Sequence, residues 1–404
     1  MRIAFTVNGP GEVAGWLRPL LRALYARMPQ LHAFIFLVPD DYATGFEAPM
    51  VREAFPEATV LEPRAYLRFA LGGRLDEVPG AVDAVQYIGG DLVHAARVHA
   101  RLKGRAATYK FSRRRYRALF DRAFAVDARN AGELETWGTP AERIERVGNL
   151  AIDGAFFEAA LPAESDAPVD GILLMPGSRA YEIENLVPFY FAVALRIRHE
   201  RPEIPIAFAL SPFTPRAQVQ AAIEGGGHPR MFARKGLLVD DDGRDYIATP
   251  SDDVRIPVLR NALAAAVRAR VVLTIPGTKT IELAALGRPV VTITPLNAPE
   301  MVTINGPLTY LNRIPFVGVP LKRAVAVGVS RRFRHHTQPN MDAGMTLIRE
   351  MHGTVTPGRV ARVTLEAYDD AVWQRETADA LRLLYRDHIG ASERMAESLL
   401  ALAS

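Results

Sequence analysis

Short apolar runs alternate with amphipathic stretches through most of this 404-residue chain. In the N-terminal half the runs are residues 3–7, 33–38, 84–88, 106–109, 123–126 and 144–147, and stretches such as 92–102 and 131–137 carry helical spacing between them. A strand that is apolar along its whole length is covered on both faces, and strands fed by helical crossovers form a parallel sheet. A second set follows, with strands predicted at 171–175, 206–210, 271–275 and 289–293 and helices at 181–198 and 254–268. From residue 356 onward the pattern is helical, over 366–388 and again over 391–402. Residues 161–169 hold two prolines among small and acidic residues and interrupt the rhythm as a linker would. The expected fold is therefore α/β, with two doubly wound, Rossmann-like domains facing each other across a cleft. Residues 1–160 form the first, 161–365 the second, and helices in 366–404 pack back on the first.

Composition narrows the function. With 49% apolar and 23% charged residues the chain has the balance of a soluble globular protein. No apolar run approaches the roughly 18–20 residues of a membrane span. Met1 leads directly into the first apolar run without the layout of a signal peptide, so the expected compartment is the cytoplasm. Cysteine is absent, which excludes disulfides, thiolate metal sites and cysteine nucleophiles. His335 and His336 are adjacent and Asp240 to Asp242 lack an EF-hand frame, so no metal or other cofactor is expected. The net charge is +4, and only Lys103, Lys110, Lys235, Lys279 and Lys322 among the basic residues are lysine. This arginine excess fits a compositional bias, and also an anionic ligand or membrane surface. The basic run 110–115 is read either as a solvated helix start or as such a contact. Basic and aromatic residues do not interleave as in an RNA-binding surface, so nucleic acid is not an expected partner.

Ligands of open α/β sheets bind beyond the carboxyl ends of the strands. Four loops lie there. In the turn after 171–175, Gly177 permits close backbone approach, Ser178 is a capping residue by type, and Arg179 stands beside a helix N-terminus that favours anions. In the turn after 271–275, Gly277, Thr278 and Thr280 are arranged to present donors to a diphosphate, with Lys279 as a point charge. Glu282 in that helix's first turn is read either as a ribose ligand or as a carboxylate favoured by the helix dipole. The loop after 3–7 contains Gly11, Glu12 and Trp16 but does not follow GxGxxG spacing. Glu12 is a site carboxylate or a helix-start charge, and Trp16 a sugar-stacking surface or core. The fourth loop ends in Asp91, a cleft carboxylate or an N-cap, with His94 three residues on as a second titrating group.

Together these loops resemble the lipid-A-disaccharide synthase family of GT-B glycosyltransferases. The resemblance rests on Gly11-Glu-Val-Ala-Gly15, Val147-Gly-Asn-Leu-Ala-Ile-Asp153, Leu174-Met-Pro-Gly-Ser-Arg-Ala-Tyr-Glu-Ile183 and Pro276-Gly-Thr-Lys-Thr-Ile-Glu282. Pro339-Asn340 with Ile348-Arg-Glu350, and Gly390 to Glu397, extend it to the C-terminus. It implies a GT-B fold and an inverting transfer of an acylated glucosamine from UDP to a lipid-linked sugar phosphate. The second domain would bind UDP, with Arg179 and the Gly277–Thr280 turn on the diphosphate and Glu282 on the ribose. Asp91, then Glu12, is the expected general base, and Gly11, Trp16, His94 and Asn340 are expected on the acceptor side. Peripheral contact with the inner face of the cell membrane follows from lipid substrates, and a homodimer is admitted. Three stretches depart from the family: Trp16 replaces Asp, residues 109–115 replace Pro-Gln-Val-Trp-Ala-Trp, and Ile88 to Asp91 replaces Ile-Asp-Ala-Pro-Asp. All three lie in the acceptor domain. The rival readings are a UDP-sugar 2-epimerase of the same architecture and a non-catalytic UDP-sugar-binding relative.

Overall fold

The computed structural model describes residues 1–39, 45–297 and 334–404. The chain divides into two compact units, one of residues 1–156 with 386–404 and the other of residues 157–385.

The first unit is built on a seven-stranded sheet. Its strands are β1 (Arg2–Val7), β2 (His32–Leu37), β3 (Thr59–Leu61), β4 (Ala84–Tyr87), β5 (Arg105–Tyr109), β6 (Arg122–Ala125) and β7 (Ile144–Arg146). They lie in the order β3-β2-β1-β4-β5-β6-β7, and every pairing is parallel. From its second residue onward β1 is buried, as the uninterrupted apolar run requires. The chain turns outward in opposite directions from β1 and β4, so the gap beyond their carboxyl ends is the switch point of this sheet.

The second unit holds eight strands: β8 (Ile172–Leu174), β9 (Ile206–Ala209), β10 (Leu237–Asp241), β11 (Arg244–Ala248), β12 (Arg255–Leu259), β13 (Val271–Thr274), β14 (Val290–Pro295) and β15 (Arg349–Gly353). Their order is β10-β11-β12-β9-β8-β13-β14-β15. The first three pair antiparallel and the rest parallel. Here the switch point falls between β8 and β13. The helix Ala180–Glu200 buries Phe189, Tyr190 and Phe191 in the principal core of this unit.

Three expectations are corrected. The helix predicted over 254–268 is strand β12 followed by the short helix Ala262–Ala266. β-Branched Ile256 and Val258 suit a strand, and Pro257 would break a helix interior. Residues 161–169 are not a free linker: Glu164 accepts from the backbone N–H groups of Arg260 and Asn261, and Asp166 accepts from the Tyr246 hydroxyl. The division falls earlier, at 156/157, inside the helix Leu150–Ala159. Residues 366–404 do not pack back as one body. The helix Ala371–Tyr385 lies against the helix Thr278–Ala285 of the second unit, and only residues 386–404 join the first.

That return is fixed by two of the sequence motifs. Asp153 accepts from the N–H groups of Gly390 (2.8 Å) and Ser392 (2.7 Å), capping the helix Ala391–Ala403 from outside. Arg394 reaches back to the Val147 carbonyl, and the buried Tyr109 hydroxyl sits between the Gly148 carbonyl and the Leu150 N–H. Asp153→Ala should speed amide hydrogen exchange in the first turn of the helix Ala391–Ala403 about tenfold, with residues 92–102 as an unaffected control.

Candidate functional site

In the first unit the loops after β1 and β4 touch. A Cβ on Gly89 would stand 2.5 Å from Asn8 Oδ1 and 2.9 Å from Glu12 Cγ, so glycine is what lets the two loops close. After Glu12 the chain makes one turn of π-helix, Val13–Leu17. Such turns are concentrated at functional sites. It carries half-buried Trp16, whose ring meets Tyr109 edge-on at 5.5 Å with the Lys110 ammonium 5.4 Å from its centroid. Trp16 is therefore neither wholly core nor a bare stacking platform.

Asp91 caps the helix Leu92–Leu102 by accepting from the Val93 N–H at 2.9 Å, and Arg115 stands 3.8 Å away. Half of its side chain remains exposed. The Tyr87 hydroxyl donates to the Gly90 carbonyl. Burial, with the charges of Glu12 and Asp91 nearby, pushes its pKa far above the ordinary phenol value. Glu12 and Asp91 thus share one neighbourhood at the ends of β1 and β4. His94, within reach of the Asp91 charge, makes a 2.5 Å hydrogen bond between Nδ1 and the hydroxyl of fully buried Tyr66. Burial lowers the His94 pKa below its ordinary 6.5, against a smaller opposing pull from Asp91.

In the second unit both glycine turns sit at the ends of adjacent strands, β8 and β13, and the Thr274 hydroxyl bridges them by donating to the Met175 carbonyl at 3.0 Å. The first turn is closed by a residue that none of the site expectations included. Buried Glu182 accepts from the N–H groups of Ser178 (2.9 Å) and Arg179 (3.0 Å) and from the Tyr181 hydroxyl (3.0 Å). Gly177 has φ +105°, and a Cβ there would fall 2.3 Å from Glu182 Oε2. The cap is therefore Glu182 and not Ser178, and two of the backbone donors expected to face an anion are already engaged. The spacing of Arg179 and Glu182 is that of a capping box, which is the signal that identifies this acid.

The second turn differs. Gly277 is extended, and nothing among the described residues lies within 4 Å of its virtual Cβ. Thr278 is exposed, whereas Thr280 is buried and donates its hydroxyl to the Gly277 carbonyl at 2.6 Å. That corrects the expectation that Thr280 presents a hydroxyl to ligand. Lys279 Nζ lies 2.5 Å from Glu282 Oε2 and 3.9 Å from Glu158. Burial raises the Glu282 pKa, and Lys279 opposes that rise.

Asn340 is corrected outright. Its amide donates to the Ile348 carbonyl and to Glu350, and accepts from the N–H groups of Leu347 and Ile348. Fully buried and doubly engaged at each end, it is a clamp on the start of β15. The Pro-Asn and Glu350 segments noted in the sequence are joined by this contact. Among the described residues no group of histidine and acidic side chains could hold a metal ion. No helix among them is long and apolar enough to cross a membrane.

The lowered His94 pKa has a definite sign. The unfolded chain binds the proton more readily, so stability is complete above pH 6.5 and falls as pH drops through the folded-state value. His94→Gln should flatten that acid-side decline between pH 7 and 5 in urea titrations.

No family model matches the chain. Over 255 residues it is 29% identical to a lipid-A-disaccharide synthase of Pseudomonas syringae pv. tomato, covering 63% of this chain and 53% of that protein. A lipid-A-disaccharide synthase of Myxococcus xanthus is 35% identical over 71 residues, 18% of each chain. The chain spans about half the length of the Pseudomonas relatives it matches. Among solved structures, a UDP-N-acetylglucosamine 2-epimerase aligns with TM-score 0.59 at 16% identity, over 98% of this chain and 95% of its own. S. aureus MnaA, solved with UDP, aligns with TM-score 0.57 at 15% identity, over 99% and 97%. The fold is GT-B-like, and in sequence the chain resembles the lipid-A-disaccharide synthases.

Proposed function

We propose that this chain is an inverting UDP-sugar glycosyltransferase that moves an acylated glucosamine from UDP to a lipid-linked sugar phosphate. The observation that carries the reading is the pair of glycine turns at the ends of β8 and β13, each opening a helix with an exposed or half-exposed cation two residues after the glycine. The sequence relatives named lipid-A-disaccharide synthase supply the reaction class. In this reading the acceptor hydroxyl oxygen attacks the anomeric carbon, the bond to the diphosphate breaks, and UDP leaves with the electron pair. Arg179, Lys279 and the N–H groups of the second turn balance the growing negative charge. Glu282 accepts the ribose hydroxyls. A carboxylate at the ends of β1 and β4 takes the acceptor proton; Asp91 is the first assignment, since half of its side chain faces solvent, and Glu12 the second. Lipid substrates place the protein at a membrane surface, and exposed Phe111 with Arg113, Arg114 and Arg115 is the surface assigned to that contact.

The epimerase reading is kept on one observation, the full-length fold match to a UDP-N-acetylglucosamine 2-epimerase. Mass spectrometry separates the two. Purified protein with UDP-2,3-diacylglucosamine and 2,3-diacylglucosamine 1-phosphate should yield a disaccharide, whereas conversion of UDP-N-acetylglucosamine alone would establish the epimerase. Arg179→Ala should lower the transfer rate by about 10²–10³ with the fold intact. Asp91→Asn at full rate would move the base to Glu12.

A further inference from the structure

The two turns carry one pattern, Gly-(Ser/Thr)-(Arg/Lys)-x-x-Glu: Gly177-Ser-Arg-Ala-Tyr-Glu182 and Gly277-Thr-Lys-Thr-Ile-Glu282. In both, the cation pairs with the glutamate three residues on, and the two partners differ sharply in exposure. Arg179 is 53% exposed and Glu182 7%; Lys279 is 44% exposed and Glu282 8%. Each pair thus offers its cation to a ligand and keeps its carboxylate inside. The copies differ in what remains when the cation leaves. Glu182 is still held by two backbone N–H groups and a tyrosine hydroxyl. For Glu282 the hydrogen bond formed among the described residues is that from Lys279. Withdrawing Lys279 would strand a buried carboxylate, with Glu158 close by to repel it. Lysine suits an exchangeable contact better than arginine, because its charge is a compact point on a flexible stem.

We propose that Lys279 is an exchangeable counter-ion that couples recognition of the two ends of a nucleoside diphosphate. In the empty site it holds Glu282. When vicinal ribose hydroxyls donate to Glu282, the carboxylate no longer needs the ammonium, and Lys279 turns to the diphosphate. A ligand with only one of the two features leaves Lys279 where it is. This inference rests on the UDP reading and adds to it a cooperativity between diol and diphosphate.

The test is a ligand cycle. Affinities of UDP, 2′-deoxy-UDP, uridine and 2′-deoxyuridine are measured by calorimetry and competition NMR on the unmodified protein and on Lys279→Met. The loss on removing the 2′-hydroxyl should be about tenfold greater in the diphosphate than in the nucleoside, and equal in the two for Lys279→Met. If Lys279→Met does not fold, Lys279→Met with Glu282→Gln removes both charges together and should show the same loss of coupling. Equal losses in the unmodified protein, or coupling that survives in the variants, would overturn the exchange while leaving UDP binding in place. Failure of the unmodified protein to bind UDP would overturn the nucleotide reading and the exchange with it.

Discussion

In each sheet one pair of neighbouring parallel strands sends its connections to opposite sides, and this single topological constraint locates the candidate sites. The crossovers leaving β1 and β4, and those leaving β8 and β13, diverge, which opens a crevice at the carboxyl ends of each pair. Loops from both strands of a pair are left side by side. Glu12 and Asp91 come together from positions nearly eighty apart, and Gly177 and Gly277 from one hundred apart.

Buried and half-buried acids then set the local character of these turns. Glu182 and Asp153 satisfy helix starts from within the protein, and Glu350 does so for the helix Gln338–Ala343, accepting from the N–H groups of His336 and Thr337. Carboxylates at such positions gain from the dipole and from several N–H donors at once, which offsets the loss of water. Glu282 differs in that its hydrogen bond among the described residues comes from a side-chain cation and not from backbone N–H groups. The difference separates a turn that is finished from one that is ready to change partners.

The alternating architecture was legible in the sequence because strands buried on both faces leave uninterrupted apolar runs. Elements without such runs are not legible this way: β3 has three residues, and β10 to β12 form an antiparallel extension of mixed polar and apolar residues. The glycine turns were legible from their residue types, but the state of their donors was not. That Thr280 turns inward, or that Asn340 is consumed by residues 347–350, depends on side-chain rotamers and tertiary contacts that local pattern does not encode. Tyr66 meeting His94 is of the same kind, since nothing in either segment announces the other. Glu182 is the opposite case. Its three-residue spacing from Arg179 carries the information, as a capping box within the Leu174–Ile183 motif.

The larger sheet ends at β10, and its outermost strand runs into Asp240, Asp241 and Asp242, all exposed. A strand from another molecule adding to that edge would have to draw these carboxylates out of water and against its own backbone. Charge at this rim thereby works against growth of the sheet from copy to copy.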